Sequence, residues 1–173
     1  ILPWYSKLTG IRYAALRYFN AAGYDLSGRI QGLERNPANL LPIVMETAIG
    51  NRNSMQVFGD DYNTEDGTGI RDYIHVTDLA VAHIKAMNYL MDEKANLTVN
   101  LATGYGFSVL DIINQAREVT GRAIPYKIVD RKPEDPSELV AVSKLSKKMF
   151  NWECQYSNIE TIMESMWNVY NSK

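Results

Sequence analysis

The sequence has 173 residues, of which 46% are hydrophobic and 22% are charged, and its formal net charge at pH 7 is −2. This composition is typical of a soluble globular domain, and the length predicts one folding unit over residues 1–173. Because its 18 basic residues are scattered along the chain, neither a nucleic acid nor an anionic membrane is expected as a partner. A single cysteine excludes an intrachain disulfide, and the lack of a secretion signal favours the cytoplasm.

The first residues predict a helix that starts before the sequence does. Ile1 is not an initiator methionine, and Leu2, Tyr5 and Leu8 follow helical spacing up to Gly10. We therefore expect the chain to be part of a longer protein.

Strands and helices alternate along the rest of the chain, which predicts an α/β architecture. Apolar runs between turn residues predict strands at 13–19, 55–58, 70–76, 97–102 and 124–129. The strand at 13–19 should be covered on both faces, and a loop should follow it from residue 20 to 37. Helical spacing of apolar residues predicts helices at 39–50, 78–91, 108–120 and 143–150 and one at the C-terminus from residue 159.

Polar residues before these helices predict how they begin. Asn39 is an expected N-cap, Thr77 is expected to cap the helix from residue 78, and Ser108 with Asp111 forms a capping-box pattern. The segment 157–160 gives a second capping-box pattern before the last helix.

Several patterns that suggest a site have simpler explanations. Gly104 and Gly106 follow a strand and precede a helix, but the third glycine of a dinucleotide loop is missing and helix capping explains the turn. The acidic loop 59–69 lacks the register of a calcium loop, so we expect it to be solvated. His83 falls on the apolar side of its predicted helix and is expected in the core. No metal-ligand spacing occurs.

Arg71 lies within an apolar strand, where an unpaired guanidinium would be costly. It must therefore meet either a carboxylate or a bound anion such as a phosphate. Asp72 is excluded as its partner on that face, because successive strand residues point in opposite directions. The residues alone leave a structural ion pair and a ligand contact equally open.

Four blocks of the chain occur together in a fixed order, and the last contains the run TEDGTGIRDYIHV. They are 16–23, 37–42, 57–62 and 64–76. Together they closely resemble the nucleotide-sugar epimerases of the extended short-chain dehydrogenase/reductase family. The resemblance extends over nearly the whole chain.

The resemblance implies the substrate-binding half of a Rossmann-type α/β fold, with the last strands of the NAD-binding sheet at its N-terminus. In the family, the glycine-rich NAD loop and the catalytic Tyr-x-x-x-Lys pair lie upstream of the position that matches Ile1, and these 173 residues contain neither. NAD is therefore the expected cofactor of the complete protein, the N-terminal half of the same enzyme is an expected partner, and a homodimer is expected.

The resemblance also assigns roles to individual residues. Tyr18 and Phe19 match the residues at the nicotinamide end of the cofactor site. The residues expected to bind the UDP-sugar are Asn20, Asn39, Leu40, Gln56, Val57, Phe58, Arg71, Arg131, Lys132 and Asp135.

Within this set the expected contacts differ. The strand of Gln56, Val57 and Phe58 would pack and hydrogen-bond against the uracil. Arg71 would bind the diphosphate, and Lys132, the second residue of the basic pair that begins with Arg131, would bind phosphate. The remaining members follow the same resemblance: Asn20 bonds the UDP, Asn39 and Leu40 lie beneath it, and Asp135 binds the ribose. Lys132 replaces an arginine and Glu134 replaces a glycine of the family pattern.

The activity implied by the resemblance is the interconversion of UDP-glucose and UDP-galactose in galactose metabolism. An upstream tyrosine would remove the proton of the sugar 4-hydroxyl while NAD accepts the C4 hydride and returns it to the other face. We expect this chain alone to be inactive. Two alternatives stay open at this point: an inactive nucleotide-sugar-binding module, and another NAD-dependent nucleotide-sugar enzyme of the same family.

Overall fold

A computed structural model describes residues 1–93 and 95–172 of the chain. Helices and strands alternate, as the sequence predicts. The helices in this part of the chain are α1 (Leu2–Thr9), α2 (Leu40–Ala48), α3 (Val76–Asp92), α4 (Val109–Thr120), α5 (Lys144–Phe150) and α6 (Ile159–Tyr170). The strands are β1 (Ala14–Arg17), β2 (Asn20–Ala22), β3 (Met55–Phe58), β4 (Ile70–Arg71), β5 (Tyr73–His75), β6 (Leu97–Asn100), β7 (Phe107–Ser108), β8 (Tyr126–Val129) and β9 (Glu138–Leu139).

Most strand pairing is parallel. β1 pairs with β6, β2 with β5, and β3 with β8, each in parallel, while β4 lies between antiparallel β7 and parallel β9. Parallel neighbours need long crossover connections, and here helices supply them. The predicted α/β class is confirmed.

Two hydrophobic cores lie on opposite sides of β5. Tyr73 belongs to the core formed with α2, α4 and α6, whereas the next residue, Ile74, belongs to the core formed with α3, β1 and β6. Successive side chains of a strand point to opposite faces, so this short strand joins both cores. Both faces of β5 are thereby packed.

The single strand predicted over 70–76 is instead two strands in different sheets. The chain leaves the β4 sheet and enters the β2–β5 pair at Asp72, whose backbone N–H donates to Leu139 O at 3.2 Å. The Asp72 carboxylate is buried, with its Oδ1 accepting from the Thr103 hydroxyl at 2.6 Å. Asp72 thus fixes the point at which the chain passes from one sheet to the next. The spacing of apolar residues does not reveal such a point.

Two of the predicted helix caps are wrong by one or two residues. His75, not Thr77, caps α3, because its Nδ1 accepts the Thr77 N–H at 3.0 Å. Asn158, not Ser157, caps α6. The Ser157 hydroxyl donates instead to the buried Asp78 carboxylate at 2.6 Å, which ties the C-terminal segment to α3. The capping box of Ser108 and Asp111 at α4 is confirmed.

The N-terminal strand region differs from expectation. The strand predicted over 13–19 is not covered on both faces, since no residue of β1 is fully buried. Beyond its end, Tyr18 is 40% and Phe19 is 49% exposed. The predicted loop after it begins with strand β2 instead. His83 is exposed rather than in the core, with its ring edge against Tyr18 at 6.3 Å between centroids. In the described ranges, no helix is long and apolar enough to cross a membrane.

Candidate functional site

A cavity of about 720 Å³ lies where the ends of β2, β3, β4 and β5 meet the start of α2 and the segment after β8. Parallel strands bring side chains from distant parts of the sequence to one edge, which is where ligands of α/β proteins usually bind. Its lining combines aromatic, amide and charged side chains. The cavity therefore suits a ligand with both a flat ring and negative charge.

Most of the substrate-binding residues expected from the sequence lie in this cavity. Those that line it are Asn20, Asn39, Leu40, Gln56, Phe58, Arg71, Lys132 and Asp135. Val57 does not line it, because alternation along β3 turns its side chain into the core at 1% exposure. Arg131 also lies outside the lining and reaches Asp61 at 4.0 Å.

A smaller recess of about 260 Å³ adjoins the main cavity. Tyr18 and Phe19, the two expected cofactor contacts, line this recess and not the main cavity. The recess and the cavity share Asn20, Asn39, Leu40 and Tyr73. The recess with its two exposed aromatic side chains is therefore a neighbour of the main cavity.

Arg71 is the most buried cation of the cavity, with its side chain 17% exposed. Its Nη2 donates to Asp135 Oδ1 at 2.6 Å and its Nη1 donates to Ile70 O at 2.7 Å. The sequence left open whether Arg71 meets a carboxylate or a bound anion, and in the structure it meets a carboxylate. That carboxylate is itself an expected ligand contact, so the ion pair lies inside the candidate site.

The segment from residue 130 to 137 closes one side of the cavity. Lys132 Nζ lies 4.5 Å from the centroid of the Phe58 ring, and Arg131 Cζ lies 5.3 Å from that of Tyr62. Such cation–π contacts hold charged side chains over apolar rings. Glu134 has a φ of 59°, a left-handed conformation that favours glycine, the residue of the family pattern at this position.

Two amides of the site are positioned by the backbone around them. Asn20 donates its Nδ2 to Asp72 O at 2.8 Å, which leaves its side-chain oxygen free to accept a bond in the cavity. Asn39 is the N-cap of α2 but makes no capping bond with its side chain. Its amide is therefore available at the cavity wall.

Asp72 is buried behind the cavity wall and supports the residues that line it. Burial raises the pKa of its carboxyl, against the lowering effect of the bond from Thr103. Its backbone lies between Arg71 and Tyr73, which both line the cavity, and holds Asn20. The buried carboxyl thus fixes the backbone from which Arg71 and Tyr73 project and whose carbonyl accepts from Asn20.

Sequence reasoning missed four charged or aromatic residues of the cavity. These are Arg52, Tyr62, Tyr73 and Lys127. Arg52 forms an ion pair with Glu46 and donates to Pro37 O at 3.4 Å, so it is partly committed to the protein. Lys127 lies directly across from Gln56 in the β3–β8 pair. Its place in the cavity would follow from that pairing, but the sequence does not show which strands pair.

The charges of the cavity favour an anion. Arg52, Arg71, Lys127 and Lys132 line it together with a single carboxylate, that of Asp135. Within the described ranges, no group of three or more histidine, cysteine or acidic side chains could hold a metal ion. Phosphate groups are thus the ligand chemistry that this charge pattern fits best.

Comparison with known proteins assigns the sequence and the fold to a class. The chain belongs to the NAD dependent epimerase/dehydratase family, whose model matches residues 1–102. A curated relative, the UDP-glucose 4-epimerase of Halalkalibacterium halodurans, is 46% identical over 166 residues, which are 95% of this chain and 49% of the relative.

Two solved structures with a similar fold are also UDP-glucose 4-epimerases. The UDP-glucose-4-epimerase of Stenotrophomonas maltophila, with bound NAD and formylated UDP-arabinopyranose, is 36% identical with a TM-score of 0.92, over 98% of this chain and 51% of that one. The UDP-glucose 4-epimerase of Brucella ovis in complex with NAD is 40% identical with a TM-score of 0.93, over 98% and 52% respectively. The chain spans about half the length of the curated relatives it matches.

Proposed function

We propose that this chain is the UDP-sugar-binding half of an NAD-dependent UDP-glucose 4-epimerase, an isomerase of galactose metabolism that interconverts UDP-glucose and UDP-galactose. The observation that carries the proposal is the cavity of about 720 Å³, which collects eight of the expected binding residues from separate segments of the chain. The nature of the relatives supports it.

The arrangement of the cavity suits a reaction in which the nucleotide stays fixed and the sugar turns. Phe58 and Leu40 offer apolar surface to a base, while Arg71 and Lys132 offer positive charge to a diphosphate. Interactions concentrated on the nucleotide leave the hexose free to present either face of its C4 atom. Binding energy far from the reacting atom would thus position it without holding one sugar epimer more tightly than the other.

NAD would supply the acceptance and return of hydride at the sugar C4. Among the described residues, the recess of Tyr18 and Phe19 fits part of that cofactor, since exposed aromatic surface suits the nicotinamide ring. A recess of about 260 Å³ is too small for a whole dinucleotide. The rest of NAD, and the Tyr/Lys pair that moves the proton, would belong to an N-terminal half, and the complete enzyme would be a cytoplasmic homodimer.

Calorimetric titration with UDP tests the binding half of the proposal, with ADP as the matched control ligand. Saturable binding of UDP that exceeds that of ADP is the expected result, because both carry the same diphosphate and differ in the base that Gln56 and Phe58 would contact. Equal or absent binding of the two nucleotides would contradict it.

Mass spectrometry of the natural protein tests the enzyme half. A product about twice the size of this chain is expected if an N-terminal half precedes it. A natural product of 19.6 kDa that binds UDP-sugars without turnover would instead identify a binding module. Turnover of a different nucleotide sugar would identify another enzyme of the family.

A further inference from the structure

Tyr62 lies in the cavity wall but had no expected role. It is 6% exposed, and its backbone N–H donates to Gly67 O at 3.0 Å. The ring packs against Gly59, where an added Cβ would come within 2.8 Å of Tyr62 Cε2. Gly59 also has a φ of 85°, a conformation that favours glycine. The tyrosine is therefore held rigidly at the base of the loop 59–69.

The loop that carries Tyr62 is more firmly fixed than a solvated acidic loop would be. Asp66 is half-buried, and its Oδ1 accepts from the N–H and the hydroxyl of Thr68, each at 2.8 Å. The other oxygen of Asp66 accepts from the Ser108 hydroxyl at the start of α4. The expectation of a fully solvated loop is wrong for this residue, because its carboxylate ties the loop to the helix.

The side chain of Tyr62 reaches the two groups that flank it on the segment 130–137. Its hydroxyl lies 3.5 Å from Asp135 Oδ2, and its ring lies beneath the Arg131 guanidinium. Among the described residues, the side-chain hydrogen bonds of Asp135 are those with Arg71 and Tyr62. One carboxylate oxygen is thus assigned to each partner.

These contacts matter when a ligand binds. If a diphosphate takes the Arg71 guanidinium, Asp135 loses its ion-pair partner next to added negative charge, and the carboxylate would be repelled from the cavity. The hydroxyl of Tyr62 is then the side-chain donor left to hold it. Burial, followed by the nearby Asp135 charge, raises the pKa of Tyr62, so the hydroxyl stays a donor throughout the ordinary pH range.

We propose that Tyr62 is a positioning residue, which holds the Asp135 carboxylate in place for a ribose hydroxyl while Arg71 binds the diphosphate. This inference rests on the proposed function and adds a residue to it. The separation of 3.5 Å is long for a hydrogen bond between oxygens, as expected while Arg71 still holds Asp135, and it shortens when Arg71 turns to the ligand.

The test compares Tyr62→Phe, which removes only the hydroxyl, with Tyr105→Phe, a tyrosine 73% exposed outside the cavity. Binding of UDP and of 2′,3′-dideoxy-UDP is measured by calorimetry for both variants and for the unaltered chain. Tyr62→Phe should weaken UDP binding about 3- to 10-fold, the range of a typical net hydrogen-bond contribution, and change binding of the dideoxy analogue less than about 2-fold. Tyr105→Phe should change neither.

The dideoxy analogue separates positioning from a general structural effect, since it lacks the hydroxyls that Asp135 would bind. Equal weakening of both ligands by Tyr62→Phe, or unchanged binding of UDP, overturns the positioning role. Absence of UDP binding to the unaltered chain overturns the proposed function and this inference with it. UDP binding that is lost in Arg71→Ala but unchanged in Tyr62→Phe overturns this inference alone.

Discussion

The Arg71 guanidinium and the Asp135 carboxylate form an ion pair of 2.6 Å within the cavity proposed to bind a diphosphate and a ribose. Arg71 is proposed to bind the diphosphate of the ligand and Asp135 its ribose. Without the ligand, the two side chains neutralise each other's charge. The pair keeps a buried guanidinium from being unpaired, which would be costly. A diphosphate that binds Arg71 would therefore replace the Asp135 carboxylate as its partner.

Arg71→Ala should weaken UDP binding about 10- to 150-fold, because charge-assisted hydrogen bonds of roughly 1.5 to 3 kcal/mol are lost. Stability without ligand should fall only slightly, since the Asp135 side chain is 35% exposed and can be hydrated when its partner is removed. Calorimetry with UDP and thermal melting of the ligand-free chain measure the two effects separately.

Arg29→Ala is the matched control for this variant. Arg29 pairs with Asp25 at 3.0 Å and does not line the cavity, so its loss should leave UDP binding unchanged. Unchanged UDP affinity of Arg71→Ala together with a large decrease in melting temperature would show that the arginine serves the fold and not the ligand.

The sequence predicted well those elements whose signals are local. Strand β3 has the predicted bounds, and α4 begins with the predicted capping box of Ser108 and Asp111. Both depend on neighbouring residues only: alternation in the strand, and a side-chain to backbone bond three residues away in the helix. The resemblance to a family then identified eight of the residues that line the cavity, which composition could not.

What the sequence did not predict depends on contacts between distant segments. The need of Arg71 for a partner was evident, but the partner lies 64 residues away on a loop. Tyr62 looked like part of a polar turn, and only its packing against residues 59 and 131 shows that it is buried. His83 shows the opposite error, because an apolar helix face is buried only where another element of the chain covers it.

The stability of the fold should decrease as the pH falls from about 7.5 to 5 because of His75. This residue is fully buried, its Nδ1 accepts from Thr77 N–H, and its Nε2 lies 3.3 Å from the Ser165 hydroxyl. The neutral ring fits these bonds, and burial lowers the pKa of His75 against the opposing effect of Asp78. The unfolded chain therefore binds a proton, near pH 6.5, that the folded chain does not.

Urea unfolding at a series of pH values measures this effect. One proton taken up by the unfolded state limits the slope of the His75 contribution to about 1.4 kcal/mol per pH unit. The contribution is fully present at about pH 7.5, one unit above the unfolded pKa, and is lost as the pH falls below it. His75→Gln should reduce the pH dependence in this range, whereas the exposed His83→Gln should leave it in place. A steeper loss in His75→Gln, or no change, would contradict the assignment.

The 173-residue chain should self-associate through apolar side chains of α1 and α3. Trp4 is 73% and Leu8 is 75% exposed on α1, and Ile84 is 57% exposed on α3. The segment after α3 lies next to α1, because Asn96 donates to the Ser6 hydroxyl of α1 at 2.8 Å. Exposed apolar surface of this kind favours association.

Light scattering at micromolar concentration checks this prediction. Leu8→Glu combined with Ile84→Glu should lower the average mass in solution, whereas Ile30→Glu, at an isoleucine 64% exposed in the loop before α2, should not. If the unaltered chain is a monodisperse monomer, the prediction that the exposed side chains of α1 and α3 drive association is wrong.

The 173-residue chain alone should neither retain NAD nor interconvert UDP-glucose and UDP-galactose. It contains no Tyr-x-x-x-Lys pair, and its recess at Tyr18 and Phe19 holds too little of the cofactor. Fusing it behind the N-terminal half of the Halalkalibacterium halodurans relative should restore both properties, since the two proteins are 46% identical over the shared region. The same fusion with Arg71→Ala should retain NAD but require a higher UDP-sugar concentration for half-maximal turnover. Epimerisation by the unfused chain, measured by separating the two UDP-sugars after incubation, would show instead that residues of this half perform the proton transfer.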